Sequence, residues 1–181
     1  MMRRVMWTTM LAVSLAMTST LAIAQKTTQV HAGTGGSPHV KSEWVIDGAS
    51  VSVEYGRPSL KGRPETQLMP HGQPWRTGAD EPTLLTTNRP LKFGALTLEP
   101  GTHTLSTIPG ATEWQLLVGK HDGQWGVPYR ADLEKGRAPM RLDRATATTE
   151  VLAISIDDTP TGGTLRIEWG TARASIPFTV G

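Results

Sequence analysis

Two blocks concentrate the side chains able to do chemistry. One is Gly56-Arg57-Pro58-Ser59-Leu60-Lys61-Gly62-Arg63, the other Trp75-Arg76-Thr77-Gly78-Ala79-Asp80-Glu81-Pro82-Thr83. Arg57, Lys61, Arg63 and Arg76 supply cations that can converge on an anion, and the planar guanidinium suits carboxylate, phosphate or sulfate. Trp75 can stack on a sugar ring or an apolar group. Asp80 and Glu81 can take a hydroxyl, an amine or a metal. The stretch Thr77-Gly78-Ala79 lets backbone approach a ligand closely. The expected ligand is therefore a polar, anionic or carbohydrate-like small molecule. A structural alternative uses the same groups: Arg76 pairs with Asp80 or Glu81, Trp75 covers a sheet end, and the charges tie down a long loop.

Other chemistry finds less support. His39, His71, His103 and His121 show no H-x-H, H-x-x-x-H or HExxH spacing, so no metal or other cofactor is expected. A three-ligand set of His71, His103 and Asp80 or Glu81 needs the fold to bring distant positions together. A G-x-S-x-G elbow, a P-loop and a G-x-G-x-x-G are all missing, and without Cys a thiol nucleophile is impossible. Ser59 lies beside cations, but spacing identifies no base for it. Two further readings stay open. One is a hydrolase or metal-assisted enzyme using the acids and His71; the other is a structural or partner-binding envelope protein.

The elements that must position these groups read as strands. Residues 51–55, 152–156, 165–169 and 174–180 alternate apolar and polar, which puts one set on a core face. Weaker strand candidates are 40–46, 83–87, 96–98, 102–108 and 114–118. Gly and Pro turn signals recur along the chain, among them Asp47-Gly48, Pro100-Gly101, Pro109-Gly110, Gly162-Gly163 and Gly170. Pro177 cannot donate to a ladder, so the last strand is expected at an edge or locally bulged. Residues 132–135 can make one helical turn. The expected fold is all-β, an antiparallel sandwich or jelly-roll-like barrel with one long charged loop. Trp44, Trp114, Trp125 and Trp169 are expected in packing roles.

Residues 1–24 read as an export signal, with Arg3 and Arg4, an apolar stretch and the small-residue site Ala22-Ile23-Ala24. Residues 25–36 read as a flexible Gly-rich leader, and 37–181 as a single β domain. The expected location is periplasmic or secreted, with no membrane span after signal cleavage. The chain has 18 Lys+Arg and 16 Asp+Glu, and Arg3 and Arg4 fall in the signal. Beyond it the two signs are equal in number, which gives no support to nucleic-acid binding. The remaining chain is long enough to bury roughly two-thirds of its unfolded surface and fold on one core without disulfide or metal.

The two blocks also carry a resemblance. The pattern GRPxxKGR followed by WRTGA(N/D)ExT resembles the secreted bacterial domain of unknown function 2911 family. Leu98-Glu99-Pro100-Gly101-Thr102, Ile108-Pro109, Trp114 and Trp125-Gly126 before Tyr129 match as well, over about residues 37–180. The family more often has Tyr at position 103, which speaks against a family-wide metal role for His103. The resemblance implies no settled activity.

Overall fold

Period-two alternation becomes strand along most of the chain. The computed structural model describes residues 25–123, 125 and 127–181; the expected export signal, 1–24, lies outside them, as do Gln124 and Gly126. The strands are β1 (Lys26–His31), β2 (His39–Ile46), β3 (Ala49–Gly56), β4 (Thr83–Thr87), β5 (Leu91–Phe93), β6 (Leu96–Leu98), β7 (Gly101–Ile108), β8 (Glu113–Lys120), β9 (Glu134–Thr159) and β10 (Gly162–Val180). All pair antiparallel in one sheet of order β1-β2-β3-β4-β7-β8-β9-β10-β5-β6. The expected all-β class is thus the observed one. Among the described residues no helix is long and apolar enough to cross a membrane.

The sheet folds over on itself. Strand β2 lies against β9 and β10, which are not its ladder neighbours. The inward sets of both layers form one core that includes Trp44, Val53, Leu105, Trp114, Ile154, Ile167 and Phe178. Burying such side chains contributes about 1.5–3 kcal/mol each, which is how a chain without Cys holds two layers together. The tight connection β2–β3 uses Asp47 and Gly48, both at positive φ, the backbone that a two-residue hairpin turn demands.

Three features differ from the sequence expectation. First, Lys26–His31, within the stretch expected as a leader, pair with β2 as an edge strand. All six residues are exposed, so they carry no apolar alternation to announce a strand. Second, β9 and β10 are long, bent strands rather than several short ones. Gly170, read as a turn, sits at a register shift inside β10. The early half of β9 has few buried positions, so its pattern is faint. Third, the helical turn expected at 132–135 is a short 3₁₀ turn at Ala131–Leu133, and Glu134 already belongs to β9. Pro177 falls between the last β9 partner, Ser175, and the first β5 partner, Thr179, where no ladder bond is needed.

Candidate functional site

The long segment between β3 and β4 is tied to the sheet at both halves. Its first half runs beside β9: Leu60 N–H donates to Glu150 O at 2.9 Å, and Leu152 N–H to Pro58 O at 3.0 Å. One helical turn, α1 (Glu65–Leu68), follows. Leu60 and Met69 then insert into the core. The second half docks on β7, where Trp75 and Thr107 exchange backbone hydrogen bonds of 2.7 and 2.8 Å. The segment closes against the end of β3. A Cβ on Gly56 would stand 2.2 Å from Ala79 O, so only glycine allows that approach. Both sequence blocks therefore tie the loop to β3, β7 and β9.

This loop brings Lys61, Arg63 and Arg76 to a single cleft of about 360 Å³. Its other walls include residues 34–37, Gly78-Ala79, and the apolar Leu68 and Trp169. Arg76 is half-buried and, among the described residues, makes no hydrogen bond or ion pair. Burial pushes its guanidinium below the ordinary arginine value, with the charges of Asp80 and Glu81 acting the other way. It stays charged throughout the physiological range. Arg63 is held by two backbone carbonyls, Leu60 O at 2.9 Å and Ser59 O at 2.7 Å, which fixes the turn that presents Lys61. On its opposite side Arg76 also borders a narrow cleft with Lys120, Tyr129 and Arg130.

The other expected site residues go elsewhere. Arg57 turns to β9, its Nε donating to Leu152 O at 3.3 Å, and does not line the cleft. Trp75 stacks on Trp169, ring centroids 5.7 Å apart and 12° from parallel, so its face serves packing. Thr77 is fully buried at φ 57°; its hydroxyl meets Thr107 Oγ1 at 3.0 Å. Asp80 Oδ2 accepts from Thr34 N–H at 2.7 Å and so pins the cleft wall. Glu81 turns away from Arg76 toward His31 and His39, at 3.5 and 3.2 Å. The alternative in which Arg76 pairs with Asp80 or Glu81 is therefore not what the side chains do.

The histidines regroup as well. His71 borders a separate cleft with Glu65 and Arg144, while buried His103 contacts Glu99 O at 2.8 Å through Nε2. Among the described residues the one group of three donors able to hold a metal is His31, His39 and Glu81. The register of β1 on β2 sets His31 opposite His39. Sequence reasoning passed over His31 because it lay in the presumed leader. The signal that could have found it is antiparallel pairing of that leader with β2. Of the four tryptophans expected to pack, Trp44, Trp114 and Trp169 do so, but Trp125 is 51 % exposed.

One family model matches the stretch of chain that carries both sequence blocks. It is described as Protein of unknown function (DUF2911), and it matches residues 37–178. The chain belongs to the DUF2911 family. No curated protein and no solved structure matches it. The DUF2911 match spans the loop and both of its anchoring strands, β7 and β9, whereas β1 and His31 lie before it.

Proposed function

We propose that this DUF2911 protein is an exported, periplasmic or secreted binding domain that takes a small carboxylate, phosphate or sulfate ligand in the cleft of Lys61, Arg63 and Arg76. The observation that carries the reading is the state of Arg76. A half-buried guanidinium with no ion-pair partner among the described residues faces a cleft that also presents Lys61. A structural arginine at such depth is ordinarily paired, because an uncompensated charge out of water is costly. A guanidinium left open in a rigid frame is organised for an incoming anion, and little ordering is needed on binding. Leu68 and Trp169 on the cleft wall suit an anion with a short apolar body.

Isothermal titration of the chain with phosphate, sulfate and succinate tests the reading. It expects saturable one-site binding of at least one of these, weakened by added salt. Absence of saturable binding by all three at millimolar concentration would contradict it.

A further inference from the structure

We infer that His31, His39 and Glu81 form a site for a divalent transition ion of the zinc type, independent of the anion cleft. One donor atom from each residue lies within 4.8 Å of the others. The two imidazoles stack at 4.7 Å and 8°, side by side at the β1–β2 seam. Glu81 reaches both, Oε1 to His31 Nε2 at 3.5 Å and Oε2 to His39 Nδ1 at 3.2 Å. Donors bonded to Zn²⁺ at about 2.0–2.1 Å in a tetrahedron stand about 3.3 Å apart, so both His–Glu81 distances already match and the set as a whole draws in from within 4.8 Å.

An independent observation points the same way. His39 is only 2 % exposed, and its Nδ1 and the buried Glu81 Oε2 face each other at 3.2 Å without hydrogen-bond geometry and, among the described residues, with no other hydrogen-bond partner. Buried polar atoms of that kind are rare in native proteins because each loses its water contacts. An ion bonded to both replaces this one misaligned contact with two bonds. The far side of the ring is already arranged for this: His39 Nε2 faces Glu54 Oε1 at 3.5 Å. A carboxylate behind a histidine fixes the tautomer that leaves the other nitrogen free to bind metal. Two histidines and one glutamate leave a coordination position over. The adjoining cavity, about 420 Å³, also presents His121 and Trp125, and His121 Nδ1 is buried with no hydrogen-bond partner among the described residues.

Loading requires one rearrangement. His31 Nδ1 accepts from Gly33 N–H at 3.1 Å, so a neutral ring carries its proton on Nε2, the atom facing Glu81. Coordination through Nε2 moves that proton to Nδ1 and releases Gly33 N–H. His31 is 44 % exposed, so water replaces the lost bond at small net cost. The competing account is a latch in which the same groups merely fasten β1 to the domain.

The test uses the full chain without a histidine tag, stripped with EDTA and titrated with Zn²⁺ against a chromophoric chelator. The expected result is one Zn²⁺ per chain. Glu81→Gln and His39→Ala should each weaken binding by roughly 100-fold or more, and Glu54→Gln by about 10–100-fold. His71→Ala should leave it unchanged. Should His39→Ala lose its β-sheet circular dichroism, His31→Ala on the exposed edge strand replaces it, with the same expected loss. Co²⁺ should give visible d–d bands that Glu81→Gln abolishes. No stoichiometric Zn²⁺ binding, or binding that survives Glu81→Gln and His31→Ala, would overturn the site in favour of the latch.

Discussion

Trp75 stacks on Trp169, the loop's aromatic lying 12° from parallel to one from β10 at a centroid distance of 5.7 Å. Trp114 of β8 meets the Trp75 ring edge-on at 6.1 Å. The three rings join the loop to β8 and β10. Such pairs add stability beyond their buried area. Trp75→Ala should therefore destabilise the domain by about 3 kcal/mol in urea unfolding, and Trp75→Phe by clearly less. A near-neutral Trp75→Ala that loses anion binding would return Trp75 to the role of ligand platform.

Thr77 holds the turn after Arg76. It is buried at a left-handed φ that a β-branched residue rarely adopts, and its hydroxyl meets Trp75 O at 3.2 Å and Thr107 Oγ1 at 3.0 Å. Thr77→Val keeps the shape and removes both contacts. Thermal and urea unfolding should show a loss of about 1–3 kcal/mol, since buried Thr107 Oγ1 loses its hydroxyl partner, while Trp75 O keeps the Thr107 N–H. No measurable loss would mean that the backbone alone fixes the turn.

Alkaline stability should depend on Tyr129. Burial, together with the Glu134 carboxylate to which its hydroxyl donates at 2.7 Å, pushes this phenol above its ordinary value. The folded chain thus holds the proton more tightly than the unfolded chain, whose tyrosine ionises near about pH 10. The contribution is complete below that point and is lost as pH rises toward the folded value. Tyr129→Phe should flatten part of the fall in urea stability between about pH 9 and about pH 11. Buried Tyr55 is shifted in the same direction and keeps the remainder. An unchanged slope in Tyr129→Phe would contradict the assignment.

The core strands were legible because their alternation is apolar. Val51, Val53 and Tyr55, or Leu165, Ile167 and Trp169, announce one buried face each. The same rule is silent on β1, which buries nothing, and on the first half of β9, whose positions are mostly exposed. The charged loop was legible as a special segment, and Lys61, Arg63 and Arg76 do share a cleft. Which of its members face outward was not legible. Composition cannot distinguish Glu81 beside Arg76 from Glu81 beside His31 and His39. That choice is made by the positive φ at Asp80 and by the β1–β2 register, both tertiary outcomes.

The central claim is that Arg76 stands open for an anion, and Arg76→Met tests it most directly. Wild type and variant are titrated with phosphate, sulfate and succinate and unfolded in urea side by side. The account predicts saturable anion binding by wild type, its loss by at least roughly 10-fold in the variant, and a stability change of about 1 kcal/mol or less, because no ion pair is broken. A loss of about 3–5 kcal/mol, with no anion bound by wild type, would contradict it and make Arg76 a structural cation.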